Sequence, residues 1–185
     1  MFQLRQEFYV QPMNKIYLEI AAMYLFWLLG MFIIRGKARR VTATVFAALS
    51  VLLILLLTLY GRNESVDKEL SLIPFITFRY AKREIEMYRM LFMNVALFIP
   101  LGLSLPFALP DKLRHKYIFT VISGVLLSVA VEASQYIFGL GRCETDDVLM
   151  NTLGVIIGGS AFLIHCGASR LIDLINTKRQ RGNKE

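Results

Sequence analysis

"YIFTVISGVLLSVAVEASQYIFGLGRCETDDVLMNTLGVIIGG", the segment from Tyr117 to Gly159, decides the fold. It contains two apolar runs on either side of the polar stretch "GRCETDD". The first run ends at Phe138, and the second begins at Val148 and continues to about His165. Each run is close to the roughly 17 to 25 apolar residues that a helix needs to cross a bilayer. The segment therefore predicts two transmembrane helices joined by a polar turn.

The same pattern extends over the whole chain of 185 residues, which is 56% hydrophobic and has a mean hydropathy of +0.52. A soluble domain of this size needs one core, whereas this chain carries five apolar runs: Ile16–Ile34, Val41–Tyr60, Met90–Leu109, Tyr117–Phe138 and Val148–His165. The runs lack the alternation of barrel strands, and a helix satisfies its own backbone in lipid. The sequence thus predicts an all-α membrane helical bundle with about five transmembrane helices, formed by residues 1–185 as a single domain.

Two of the predicted spans have special features. The first, 16–34, follows a fairly polar segment and is not followed by a small-residue cleavage site, so we interpret it as a retained anchor. Pro100, Gly102 and Pro106 interrupt the third span. They predict a kinked helix whose freed carbonyls are satisfied by the helices that pack against it.

Lysine and arginine in the short connections predict the orientation of the bundle. The first connection, the third connection and the segment 166–185 are rich in basic residues. Because spans alternate in direction, these three segments share one side, which predicts a cytoplasmic C-terminal tail and an N-terminus outside. The second connection, 61–89, opposes this assignment, since it places six basic residues on the predicted outer side.

The net charge of +7 is interpreted as a topology signal, with the basic tail touching anionic inner-leaflet lipid. Membrane lipids are therefore predicted partners, and nucleic acid is not, because the chain lacks a basic domain with aromatic stacking residues. Cys143 and Cys166 are too far apart along the helix to pair within one subunit, and neither has metal-ligand spacing. His115 and His165 fall near predicted cytoplasmic ends. The sequence predicts no cofactor and no metal.

Polar residues collect at the predicted outer end of the bundle. The candidate ligand-binding residues there are Asn94, Glu132, Gln135, Arg142, Asp146, Asp147 and Asn151. Helical spacing places Glu132 and Gln135 on one face of the fourth span together with Ser128, and it places Asp147 and Asn151 on one face of the fifth. We expect these two faces to meet. Gly154 and Gly158 form a small-xxx-small pair, which allows a neighbouring helix to approach closely.

Each of these residues also has a purely structural interpretation. Asp146 and Asp147 open a helix, where carboxylates cap free amides and offset the helix dipole. Asn94 and Asn151 can form hydrogen bonds between helices. Glu132 lies within a span, where a carboxylate needs a partner, water or a proton, and Arg142 in the next loop is the predicted partner.

The second connection adds further residues to the predicted outer end of the bundle. Its stretch "LSLIPFITF" (70–78) is too short to span, so we expect it to lie in the headgroup layer or re-enter slightly and to cap the bundle outside. In the following "RYAKREIEMYRM", Arg79 and Arg83 share a helical face with Glu86, which brings two candidate ligand-binding cations near the carboxylates. The alternative is a solvated charged face with aromatic anchors.

These motifs, in this order, resemble the VanZ-like family, small bacterial membrane proteins named for a member linked to teicoplanin resistance. The resemblance rests on "NVALFIPLG" (94–102), "LIPF" (72–75), the polar residues from Glu132 to Asn151 and the glycines that follow them. It covers about residues 70–163, whereas 16–34 and 41–60 share only hydrophobicity. The loop "RCETDD" departs from the pattern, because it is short and lacks an expected aromatic residue. The resemblance implies a multi-pass protein of the bacterial plasma membrane.

The resemblance also implies an effect on lipoglycopeptides, drugs that bind peptidoglycan precursors outside the membrane. With a mixed-charge pocket at the outer leaflet, it favours a protein that binds a lipid-linked precursor, an anionic headgroup or a lipoglycopeptide without turnover. One alternative is an enzyme acting on a polyprenyl or lipid phosphate, with Glu132, Asp146 and Asp147 holding a divalent cation. The other is a structural or partner-binding protein in which the polar cluster locks the bundle.

Overall fold

The computed structural model describes residues 13–60, 70–81 and 85–182. Within these ranges the chain forms helices and two short strands in the following order: α1 (Met13–Ile33), α2 (Gly36–Leu59), β1 (Leu70–Ser71), α3 (Ile76–Ala81), α4 (Ile85–Ala108), α5 (Lys116–Ile137), β2 (Cys143–Glu144) and α6 (Thr145–Gly182).

Four of the described helices are long and apolar enough to cross a membrane: α2, α4 from Tyr88 onward, α5, and α6 as far as Thr177. Helix α1 coincides with the first predicted span. Large apolar side chains cover the outside of the bundle, where lipid would solvate them; Leu126 is 65% exposed, for example. The prediction of an all-α membrane bundle is confirmed, and the orientation of its termini stays a prediction.

Helix α4 lies at the centre of the bundle and packs against α2, α5 and α6. Phe98 of α4 and Val155 of α6 are fully buried in this core. Both prolines of the predicted third span lie inside α4. In the turn before Pro106, the indole N–H of Trp27 in α1 donates to the backbone oxygen of Leu103 at 2.9 Å. A neighbouring helix therefore supplies a hydrogen-bond donor to the proline-bearing turn.

Glycines bring α4 and α6 into backbone contact. A Cβ atom added at Gly154 or Gly158 would overlap backbone oxygens of α4. On the facing helix, a Cβ atom at Gly102 would overlap the backbone oxygen of Val155. The two axes therefore lie as close as their backbones permit, which is the packing that small residues allow between membrane helices.

Two features differ from what the sequence predicts. Helix α6 continues to Gly182, so most of the basic tail is helical. At 1.5 Å per residue this helix is about 57 Å long, and its C-terminal part extends beyond a hydrocarbon layer of about 30 Å. The second difference is a parallel strand pair, in which Leu70 lies opposite Cys143 and Ser71 opposite Glu144. This pairing joins the second connection to the loop between α5 and α6.

Candidate functional site

Most of the predicted site residues lie together where α5 ends and α6 begins. We name this region the polar end and define it by Asn94, Glu132, Gln135, Glu144, Asp146, Asp147 and Asn151. The elements that meet there are the last turns of α2 and α5, the first half of α4, the start of α6, and the segment from β1 to α3.

Glu132 anchors the strand β2 to helix α5. It is only 4% exposed, and its Oε2 accepts a hydrogen bond from the backbone N–H of Glu144 at 3.1 Å. The Glu144 carboxylate accepts a bond from the hydroxyl of Thr77 in α3 at 3.2 Å. Arg142 is exposed in the same loop. The ion pair between Glu132 and Arg142 stays a prediction.

Asp146 caps helix α3. Its Oδ1 accepts from the backbone N–H of Phe75 at 2.5 Å, and its Oδ2 accepts from that of Thr77 at 2.8 Å. The structural interpretation of Asp146 was a cap on the helix that it opens; in the structure this carboxylate binds amides at the start of a different helix. Phe75 has a φ of 63°, an unfavourable value for a side chain with a Cβ atom. The two charge-assisted bonds help to hold it there.

Asp147 and Asn151 connect α6 to the two helices beside it. The Nδ2 of Asn94 in α4 donates to Oδ1 of Asp147 at 2.7 Å. The Nδ2 of Asn151 donates to Oγ of Ser128 in α5 at 2.8 Å, so the polar faces of α5 and α6 meet. Asn151 is 4% exposed, and among the described residues its Oδ1 is buried with no hydrogen-bond partner. This oxygen can accept a bond from a donor that enters the polar end.

Gln135 extends the network to α2. Its Nε2 donates to the backbone oxygen of Thr58 at 3.1 Å. Thr58 lies in the last turn of α2, where carbonyl groups have no partner within their own helix. Gln135 is 3% exposed, so this bond satisfies a buried amide and ties the end of α2 to α5.

The structure describes the three predicted cations, Arg79, Arg83 and Arg142, to different extents. Arg142 is exposed and lies just before β2. Arg79 belongs to α3, but its side chain lies outside the described residues, and so does the whole of Arg83. Of these three cations, Arg142 is therefore the one whose side chain lies among the described residues.

Cys143 reports the electrostatic field of the polar end. Burial raises the pKa of its thiol, and the carboxylates of Glu132, Asp147 and Glu144 raise that pKa further. Negative charge near the sulfur disfavours the thiolate. The three carboxylates therefore lie close enough to Cys143 to disfavour its ionisation.

The described residues offer little support for a metal centre here. In ranges 13–60, 70–81 and 85–182, no group of three or more His, Cys, Asp or Glu is arranged to hold a metal ion. The alternative of a metal-dependent enzyme needs Glu132, Asp146 and Asp147 as ligands. Both oxygens of Asp146 already accept bonds from backbone amides, so this carboxylate is committed to α3.

Sequence reasoning missed two members of the network, Glu144 and Thr77. Glu144 could have been found as a third acid in the loop "RCETDD", beside Asp146 and Asp147. No sequence pattern predicted the role of Thr77, because its contact with Glu144 depends on the pairing of β1 with β2.

An apolar bundle closed at one end by buried carboxylates and amides defines a polytopic helical membrane protein with a polar cluster at one end. Its family is identified by the match of the VanZ/LLP1 family model to residues 43–165, which is more than half of the chain. The chain belongs to the VanZ/LLP1 family. No curated protein and no solved structure shows significant similarity to it.

The family match covers more of the chain than the sequence motifs indicated. Those motifs begin near residue 70, whereas the match begins at residue 43, inside α2. It therefore includes α2 from its second turn, the central helix α4, all of α5 and the first half of α6. Every member of the polar end lies within it.

Proposed function

We propose that this protein binds an amphiphile of the bacterial cell envelope at the polar end, without turnover. The amphiphile is a lipid-linked peptidoglycan precursor or a lipoglycopeptide, and its binding lowers susceptibility to teicoplanin-type drugs. In this proposal the polar end faces the outer leaflet of the plasma membrane.

The observation that supports this most is an apolar segment, residues 70–75, fixed beside the polar end. The pairing of β1 with β2 holds this segment, the Thr145 hydroxyl donates to the backbone oxygen of Ser71 at 3.3 Å, and Asp146 binds the amide of Phe75. Its apolar side chains are between 50% and 66% exposed; they are Leu70, Leu72, Ile73 and Phe75. An exposed apolar surface beside a polar network fits a molecule with a hydrocarbon tail and a polar headgroup.

The polar groups supply complementary contacts for such a headgroup. The guanidinium of Arg142 suits a phosphate or a carboxylate, which it can bind through two parallel bonds. The Oδ1 of Asn151 is a buried acceptor for a hydroxyl or an amide N–H. The carboxylates of Glu132 and Asp147 attract ammonium groups and accept from hydroxyls. Family membership adds the expectation of an effect on teicoplanin-type drugs.

Expression in a susceptible Gram-positive host tests the proposal. The wild-type protein should raise tolerance to teicoplanin-type drugs more than to vancomycin, because the apolar segment can contact a lipid tail that vancomycin lacks. The minimal inhibitory concentrations of the two drugs are the measurement. A well-expressed wild-type protein that changes neither value would overturn the resistance role.

Matched variants separate the polar end from the rest of the bundle. Glu132→Gln and Asp147→Asn remove charge with little change of shape and should return tolerance to the level of the empty vector. Asp173→Asn changes an exposed carboxylate at the other end of α6 and should leave tolerance unchanged. If the first two variants are present at normal levels and protect as well as wild type, the polar end has a structural role only. Metal-dependent release of phosphate from a polyprenyl substrate would favour the enzyme instead.

A further inference from the structure

A second polar region lies at the opposite end of the bundle. A cavity of about 430 Å³ opens there between the first turn of α2, the last turn of α4, the start of α5 and the second half of α6. A cavity of this size can hold the headgroup of a lipid or a small metabolite. We name it the basic cavity after the residues that line it, which include Arg39, Arg40, Asp111, Lys116, His165 and Arg170.

Positive charge dominates the basic cavity. Its wall holds four lysine and arginine side chains and one carboxylate, that of Asp111. Asp111 lies 2.7 Å from Arg40 and 3.0 Å from Lys116, and chiefly the bond to Lys116 lowers the pKa of its carboxyl group. This carboxylate therefore stays ionised at neutral pH, and it offsets only one of the four cations. The remaining charge attracts an anion.

Two of the cations are held in position before any ligand arrives. Lys116 is 9% exposed, its ammonium group donates to the backbone oxygen of Leu109 at 3.0 Å, and it lies 6.0 Å from the centre of the Phe162 ring. The guanidinium of Arg39 lies 6.0 Å from the Phe107 ring centre, and its Nη1 is 2.9 Å from Nε2 of His165. Fixed cations lose less conformational entropy when they bind an anion.

An apolar groove of about 370 Å³ begins beside the basic cavity. It runs between α2, α4 and α5, and its wall includes Thr44, Ala48, Leu101, Leu105, Ala108 and Leu127. Thr44 is one helical turn from Arg40, and Ala108 directly follows Phe107, so residues that line the groove neighbour residues that line the cavity on both α2 and α4. From there it extends along the bundle toward the middle of the membrane-spanning helices.

We propose that the basic cavity and the apolar groove together bind one anionic phospholipid, with its phosphate in the cavity and one acyl chain in the groove. The excess of cations selects a negatively charged headgroup over a zwitterionic one. The adjoining groove selects a lipid over a soluble phosphate, because an acyl chain can occupy the groove while the headgroup stays at the membrane surface. Inorganic phosphate has no hydrocarbon to place there. This site is separate from the polar end and does not depend on the function proposed for it.

Cys166 lines the basic cavity and provides the probe. In a Cys143→Ser chain it is the one remaining cysteine. The full-length variant, purified in a neutral detergent, is treated with a maleimide in the presence of phosphatidylglycerol, phosphatidylcholine with the same acyl chains, or inorganic phosphate. Phosphatidylglycerol should slow labelling of Cys166, and native mass spectrometry should detect one such lipid per chain. Phosphatidylcholine and inorganic phosphate should leave the rate unchanged.

Two exposed cations and one groove residue supply the variants. Arg40→Gln and Arg170→Gln should each weaken the affinity for phosphatidylglycerol about fivefold, the effect expected for one basic residue near an anionic lipid. Lys112→Gln changes an exposed cation outside the cavity wall and should have no effect. Ala48→Leu fills the groove and should also weaken binding, whereas Val45→Leu, on the lipid-facing side of the same helix, should not.

Three results would overturn the proposal. The first is equal protection of Cys166 by phosphatidylcholine, which would mean that the charge of the cavity does not select the lipid. The second is equal protection by inorganic phosphate, which would make the cavity a phosphate site with no role for the groove. The third is an unchanged affinity for phosphatidylglycerol in both Arg40→Gln and Arg170→Gln.

Discussion

A single buried carboxylate, Asp146, fixes the position of a segment far away in sequence. It is 1% exposed, and its two oxygens bind amides that lie 71 and 69 residues earlier in the chain. Because one of these amides belongs to Phe75, with its unfavourable backbone angle, the carboxylate also stabilises a strained turn. Asp146 thus helps to hold the apolar segment 70–75 beside the polar end, together with the pairing of β1 with β2 and the bond from Thr145 to Ser71.

The variant Asp146→Asn should destabilise the protein by about 1 to 3 kcal/mol, since asparagine has one acceptor oxygen where aspartate has two and leaves a buried amide without its partner. Thermal unfolding of the purified protein in detergent is the measurement. The exposed Asp173→Asn should change the free energy of unfolding by less than about 0.5 kcal/mol. Equal losses in the two variants would mean that Asp146 does not hold the segment.

For single residues, the sequence predicts which side chains lie in the polar network better than it predicts their hydrogen-bond partners. Asp146 is recognisable as a carboxylate at a helix start, and helix starts attract carboxylates. Its actual partners lie in a segment that α4 and α5 separate from it along the chain and that is near it only in the folded bundle. The contact between Ser128 and Asn151 was easier to predict, because helical periodicity alone placed these residues on faces that were expected to meet.

Among the elements, the contact between α4 and α6 determines how the bundle is built. The glycines on both helices leave no room for a Cβ atom, so their backbones touch. The spacing of Gly154 and Gly158 predicts such a contact but does not name the partner helix. The partner is α4, whose Gly102 supplies the matching gap, and this match depends on the rotation of both helices about their axes.

Gly158→Ala should destabilise the bundle by about 1 to 3 kcal/mol, because the added methyl group meets the backbone of α4, which cannot move away cheaply. Gly167→Ala on the same helix is the matched control, since a Cβ atom there has no other atom within 4 Å. It should stabilise the protein by up to about 1 kcal/mol, because alanine has a higher helix propensity than glycine. Unfolding in detergent compares the two. A loss in Gly167→Ala as large as that in Gly158→Ala would argue against backbone contact as the cause.

Element types and element ends differ in how far the sequence predicts them. The apolar runs predicted the membrane-spanning helices, because lipid forces every backbone group in a span to bond within its own helix. The same rule does not apply outside the hydrocarbon layer. There α6 continues into the basic segment, and β1 pairs with β2, through contacts that hydropathy does not report.

Viewed as a whole, the described part of the molecule gathers carboxylates at one end of the bundle and lysine and arginine side chains in a cavity at the other. The polar end carries four carboxylates, those of Glu132, Glu144, Asp146 and Asp147, whereas the basic cavity carries an excess of cations. The prediction that basic connections lie in the cytoplasm puts the basic cavity at the inner leaflet and the polar end outside. The two cysteines mark these two ends: Cys143 lies beside the carboxylates and Cys166 in the wall of the cavity.

Intact cells treated with a membrane-impermeant maleimide test this orientation. If the N-terminus is outside, wild-type protein should react at Cys143, and the variant Cys143→Ser should react only after the membrane is permeabilised. Because burial and three carboxylates raise the pKa of Cys143, little thiolate is present at neutral pH, so the rate should be low there and rise as the pH is raised. Glu132→Gln removes one of these carboxylates and should speed labelling at a fixed pH. The orientation is wrong if labelling of intact cells survives in Cys143→Ser and disappears in Cys166→Ser, since the basic cavity would then face the outside.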